Sequence, residues 1–115
     1  MPPYLIGIDR EFEQAFEVGR NNENVYFLHV APVGVFVCIR RGDEVTAHPI
    51  IAKGARGKSA VAVGKAIVKY WFDNGVERLH TRCKRELKHA LMYNYSVGLR
   101  RYAEDENFIF YEVRR

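Results

Sequence analysis

The stretch Ala55-Arg56-Gly57-Lys58-Ser59-Ala60-Val61 follows a strand-like run and opens the longest apolar-periodic segment of the chain. A strand, a basic glycine-containing turn and a helix start, in that order, make a cradle for an anion. First-turn amides have no intrahelical acceptor and lie at the positive end of the helix dipole, and Arg56 and Lys58 add mobile charge. A phosphate group suits such a cradle; a solvated basic turn is the bland alternative. The overlapping Ala52-Lys53-Gly54-Ala55-Arg56-Gly57-Lys58-Ser59 also satisfies a relaxed P-loop pattern with alanine in first place. Against nucleotide hydrolysis stands the lack of a later hydrophobic strand ending in a magnesium-binding aspartate, in a chain too short for the usual parallel sheet. Cys38 and Cys83 each sit alone in a strand-like run, with no CxxC pair and no matching histidine spacing. They read as buried thiols rather than zinc ligands.

The elements that must position these residues follow from periodicity. Phe12, Ala15, Phe16 and Gly19 recur at helical spacing between Asp9 and Arg20, with Asp9 as N-cap, which predicts a short amphipathic helix. Val25 to Ala31 and Val33 to Arg40 read as antiparallel strands, and Glu44 to Ala52 as a third that Pro49 confines to an edge, a bulge or a place where ladder bonding stops. From Ser59, the positions Ala60, Val63, Gly64, Ile67, Val68 and Trp71 trace one helical stripe that Asn74-Gly75 terminates. Leu79, Thr81 and Cys83 alternate with His80 and Arg82 as a strand would; Leu87, Ala90, Leu91 and Asn94 mark a second helix ending at Gly98. Leu99 to Ala103 and Phe108 to Val113 close a hairpin around Glu104-Asp105-Glu106-Asn107.

The 115 residues suit one domain with a real core, and 18 basic against 14 acidic side chains give a formal charge of +4, which favours an anionic ligand. No apolar run reaches the roughly 18 residues a membrane helix needs. The N-terminus also lacks a positive region followed by a long hydrophobic core, so a cytoplasmic protein is expected. Helix, three strands, helix, strand, helix, two strands is an α+β order built on one mixed, mostly antiparallel sheet flanked by helices.

That order, the Arg-Gly-Lys turn opening a long helix, Gly98-Leu99 where a Gly-Phe pair is usual, and the closing Phe-Tyr-Glu-Val together resemble the GCN5-related N-acetyltransferase (GNAT) superfamily over roughly residues 25 to 113. The small size and loose motifs also resemble acetyltransferase-like proteins of some tailed phages. The resemblance implies a single GNAT-like domain over residues 1–115 with a truncated N-terminal region, and acetyl-CoA bound where two strands splay apart. Ile50, Ile51 and Ala52 would pair with the pantetheine amides, and Arg56, Gly57, Lys58, Ser59, Ala60 and Val61 would surround the pyrophosphate. The family's Arg or Gln, two residues, Gly, one residue, Gly or Ala places Ser59 and Val61 in the small positions when aligned on Arg56; aligned on Gly54 it places Gly57 and Ser59 there without the arginine. The tyrosine that protonates the departing thiolate in many active members corresponds to Asn94, flanked by Tyr93 and Tyr95. The asparagine often found near the start of this helix corresponds to Leu87.

Acetyl transfer to an amine needs a neutral nucleophile, a route for its proton and donors for the developing oxyanion. His48 and Glu44, on the strand entering the cleft, are the candidate bases. His48 is preferred because imidazole titrates near about 6.5, and a half-buried strand histidine without a catalytic role is the alternative. His80 and His89 read as structural or exposed, and the basic run Arg82 to Lys88 as solvated charge or as a contact for the 3′-phosphate of coenzyme A. Two functions stay open. One is an acetyl-CoA-dependent N-acetyltransferase acting directly on an amine, possible acceptors including a protein side chain, with a homodimer able to complete an open acceptor pocket. The other is a catalytically inactive GNAT-fold binding or structural protein. A nucleic-acid partner is not expected, since no recognition motif is present.

Overall fold

The computed structural model describes residues 5–8, 17–20, 24–30, 33–51 and 58–115. Strands β1 (Leu5–Ile8), β2 (Glu17–Arg20), β3 (Val25–Val30), β4 (Gly34–Arg41) and β5 (Glu44–Ile51) precede helix α1 (Lys58–Asp73). They are followed by β6 (Arg78–Lys84), α2 (Lys88–Val97), β7 (Arg100–Glu104) and β8 (Phe108–Arg114). Among the described residues, these strands form one sheet in the order β1-β2-β3-β4-β5-β6-β8-β7. Every neighbouring pair is antiparallel except β5 and β6. The α+β class and the mixed, mostly antiparallel sheet agree with the sequence reading.

The N-terminal part corrects it. Glu17–Arg20 is a strand, in register with β3 from Glu17↔His29 to Arg20↔Tyr26, so Gly19 belongs to a ladder and not to a helical stripe. Tertiary pairing outweighs a helical spacing of only a few apolar residues. The remainder of the expected helix, residues 9–16, lies outside the described residues. Among the described residues, five strands and not three therefore come before α1.

Alternation along the strands creates two distinct faces. Val45 and Ala47 of β5, Leu79, Thr81 and Cys83 of β6, and Ile109 and Tyr111 of β8 are buried beneath the helices. α1 contributes Ala60, Ile67 and Trp71 to this core, in line with the predicted stripe, and exposes Lys65 and Lys69. Tyr26 and Tyr70 meet the Trp71 indole edge-on with ring centroids 5.1 and 5.2 Å away. Gly98, at φ 113°, ends α2; its amide donates to the Tyr95 carbonyl, and the Leu99 amide donates to that of Asn94 at 3.0 Å. The opposite face carries Glu44, Thr46 and His48 of β5 beside Arg78, His80 and Arg82 of β6. Cys38 and Cys83 are both free and buried, and burial pushes the Cys38 thiol up to about 12.

Candidate active site

β5 and β6 run side by side for only three residues, Glu44↔Arg78, Val45↔Leu79 and Thr46↔His80. At the last rung Thr46 Oγ1 and His80 Nε2 are 3.2 Å apart. β5 nevertheless continues to Ile51 and β6 to Lys84, so beyond this rung the two strands diverge. Pro49 lies three residues beyond the last paired residue of β5 on this side. The β4–β5 ladder runs unshifted past Phe36↔Pro49 to Gly34↔Ile51, and the parting begins at Ala47. Of the three expectations for Pro49, the edge and the bulge are corrected, because β5 is an internal strand in unshifted register with β4, while the third holds: Pro49 lies on the stretch of β5 that no longer pairs with β6.

Divergence opens a groove of about 970 Å³. His48, Pro49 and Ile51 of β5 line one wall, Thr81, Arg82, Cys83 and Lys84 of β6 the other, and Ala60 and Val61 of α1 with one side of α2 as far as Ser96 complete it. Deeper, a void of about 30 Å³ beneath α1 and α2 reaches Ala47, Pro49, Thr81, Tyr93 and Asn94. At the other end of the β5–β6 pair, Arg78 clasps the strands: Nη1 donates to Glu44 Oε1 and Nε to Glu112 Oε1, both at 2.6 Å, with the Tyr102 ring 4.9 Å from its guanidinium. Hydrogen bonding to Arg78 holds both carboxyls below the usual range, and the two carboxylates raise the guanidinium.

The candidate residues separate clearly. His48 lies in the groove, half-buried; burial first and the Arg82 charge second hold its pKa below the ordinary imidazole value. Glu44 is committed to Arg78 at the closed end and does not line the groove. Asn94 is buried in the groove wall, where its Nδ2 donates to Cys83 Sγ at 2.8 Å. Tyr93 reaches the groove but is already engaged: its hydroxyl donates to the Ala60 carbonyl at 2.8 Å, and burial pushes its pKa up. Tyr95 is exposed, stacked under the Arg100 guanidinium at 4.2 Å, outside the groove. Ile51 lines the groove while Ile50 is exposed. Ala52, Arg56 and Gly57 lie outside the described residues; Lys58 and Ser59 form the start of α1, next to Ala60 and Val61 in the groove.

Thr81 and Cys83 are groove residues that the sequence does not mark as such, and Arg82 is marked only as part of a basic run that is either solvated or a contact for the 3′-phosphate of coenzyme A. Their alternation was legible, but nothing local says that β6 stands beside β5 and then departs from it.

No family model matches the chain, and no curated protein does. Solved structures share its fold. N-acetyltransferase PseH of Campylobacter jejuni, determined with acetyl coenzyme A, superposes with a TM-score of 0.71 at 17% identity over 82% of this chain and 70% of that enzyme. A GNAT-family acetyltransferase of Bacillus anthracis gives 0.68 at 15% identity over 79% and 66% of the respective chains. Spermidine N-acetyltransferase of Vibrio cholerae, with CoA and spermine, gives 0.64 at 13% identity over 91% and 69%. The chain thus has the GNAT fold, and the matches span about two thirds of those enzymes' lengths.

Proposed function

We propose that this chain transfers an acetyl group from acetyl-CoA directly to an amine. The observation that carries this reading is the parting of β5 from β6 after Thr46 and His80, at the place where α1 begins. Among the described residues, the side of β5 that leaves β6 has backbone groups with no strand beside them, and an extended chain of amides is what completes such an edge. Ile50, Ile51 and Ala52 would pair with the pantetheine arm; Arg56, Gly57 and the first-turn amides of Lys58, Ser59, Ala60 and Val61 would receive the pyrophosphate. Solved enzymes of this fold hold acetyl coenzyme A or CoA, which supports the choice of ligand. Acetyl-CoA supplies a thioester carbonyl open to attack.

The remaining chemistry belongs to the chain. His48 is kept neutral by burial and by Arg82, so a ring nitrogen can accept the proton that an amine loses on acylation. Thr81, buried in the wall, offers a hydroxyl donor. Asn94 can donate a hydrogen bond toward a departing thiolate but not a proton, and the Tyr93 hydroxyl is occupied by Ala60.

That last pair of observations also favours a second reading, a GNAT-fold protein that binds acetyl-CoA without turning it over. Thermal unfolding with acetyl-CoA, and in parallel with magnesium ATP, tests binding. At 100 times its dissociation constant a ligand adds about 2.7 kcal/mol of apparent stability. Acetyl-CoA should raise Tm and magnesium ATP should not; silence from acetyl-CoA, or a shift with ATP alone, defeats the proposal. Release of CoA thiol in the presence of amines then separates the enzyme from the binder.

A further inference from the structure

The acetyltransferase reading leaves open what kind of amine is acetylated, and the wall of the groove around His48 bears on this. Strand alternation sends His48 of β5 and Arg82 and Lys84 of β6 to the face opposite the two helices, and all three line the groove. The Arg82 guanidinium lies 4.4 Å from the centroid of the Phe108 ring, which also lines the groove, so its plane is supported from beneath. Its charge is felt at His48.

Most other guanidinium groups of the β6–β8 region are committed: Arg78 to Glu44 and Glu112, Arg85 and Arg101 to Glu104, Arg114 to Glu112 and Arg115 to Glu77. Arg82 makes no ion pair among the described residues. Asp105, whose charge interacts with that of Arg82, is tied into the hairpin turn by the amides of Asn107 and Phe108, each 2.8 Å from its Oδ1. Glu86 is the acidic residue among the described groove-lining residues, set against Arg82, Lys84 and Lys88.

We propose that the acceptor is an amine carrying an oxyanion, a carboxylate or phosphate a few bonds from the nitrogen, and that Arg82, assisted by Lys84, binds this group beside His48. A planar guanidinium fork matches either oxyanion through paired N–H donors. An anionic group placed there brings its amine to the imidazole, whereas a polyamine brings further positive charge into a wall that is already positive. This inference rests on the acetyltransferase reading. It concerns Arg82 and Lys84 on the β6 wall of the groove, whereas the pyrophosphate is proposed for the first-turn amides of α1.

The test is acetylation kinetics with matched pairs of amines, an amino acid against its carboxamide and O-phosphoethanolamine against ethanolamine, with spermidine as the cationic control. The oxyanion member of at least one pair should have a kcat/KM higher by roughly tenfold or more, the worth of one charge-assisted hydrogen bond. The pair that shows the effect distinguishes carboxylate from phosphate. Arg82→Gln, at an exposed position, should abolish the preference while the Tm shift with acetyl-CoA is unchanged. The inference is overturned if the neutral members or spermidine are used as well, if Arg82→Gln keeps the preference, or if no amine is acetylated although acetyl-CoA stabilises the protein. It also fails if Arg82→Gln removes the acetyl-CoA shift instead, which would give the guanidinium to the cosubstrate. Failure of acetyl-CoA to stabilise the wild-type chain would sink the underlying reading and this inference with it.

Discussion

At the scale of the residue, the site is organised by which side chains are already engaged. Glu44 carries the charge of a base but is bound to Arg78; Tyr93 has the hydroxyl of an acid but donates it to Ala60; Asn94 spends one N–H on Cys83. His48 is the titratable group left facing the groove from β5, and its neutrality has two named causes, burial and Arg82. Arg82 is the charge that acts on it, and His80, which feels His48 in turn, is likewise held below the ordinary value, first by burial and then by Arg78. A base with a depressed pKa stays competent to a lower pH than free imidazole. We therefore expect the acid limb of the rate profile to fall below about pH 6.5. Arg82→Gln, by removing a positive neighbour, should move that limb upward, and His48→Gln should lower kcat and erase it. A limb that ignores Arg82→Gln, measured with an acceptor whose own amine titration is known, would show that another group accepts the proton.

At the scale of the element, much of the molecule could be read before folding and the exceptions have physical reasons. α1 was legible because six apolar positions over three turns bury one continuous stripe, and α2 because Ala90, Leu91 and Asn94 lead to Gly98; Leu87, expected on the same stripe, is instead the exposed N-cap. β2 was not, because a four-residue strand with one glycine has no local signature until β3 pairs with it. His48 could be placed at the cleft by its strand, while the loss of Glu44 to Arg78 depends on a residue 34 positions away. The contact of α1 with α2 shows how finely the helices set the groove wall. A Cβ on Gly64 would come within 2.5 Å of Val97 Cγ2 and 2.6 Å of the Tyr93 hydroxyl, so glycine is what allows the two helices this approach. Gly64→Ala must either push α2 away or shift both the Val97 side chain and the Tyr93 hydroxyl, the latter away from Ala60. Overpacking of this kind costs about 1–3 kcal/mol, partly offset by the better helix propensity of alanine. Denaturant unfolding should show a net loss together with weaker acetyl-CoA binding, because Tyr93 and Asn94 share α2. An unchanged midpoint and affinity would mean that the helix contact is looser than these distances require.

At the scale of the whole molecule, the sheet is fastened at one end and open at the other. Glu44 of β5, Arg78 of β6, Glu112 of β8 and Tyr102 of β7 meet around one guanidinium, so four strands are tied together at the closed end of the β5–β6 divergence. This clasp has a defined pH dependence. Glu44 and Glu112 have folded-state pKa values below those of the unfolded chain, so the stability they contribute is complete above the unfolded value of about 4.3. That contribution is lost as pH falls through the lower folded values. His48 and His80 act in a separate window: their folded values are also depressed, so the unfolded chain takes up protons first and stability declines as pH drops below about 6.5. Acidification should therefore lower Tm in two stages, the first from the histidines and the second from the clasp. Arg78→Leu should be less stable than wild type near neutral pH, because it leaves two carboxylates facing each other with no cation between them. Below about pH 4, once those carboxyls protonate in both proteins, the difference should shrink. Added salt should narrow it as well, because Glu44 is about half exposed and its attraction to Arg78 is screened. Tm measured from pH 3 to pH 7 for both proteins decides the matter. A gap that stays constant across that range would mean that Arg78 acts through packing against Tyr102 alone, and that the sheet is held closed by its ladder and not by charge.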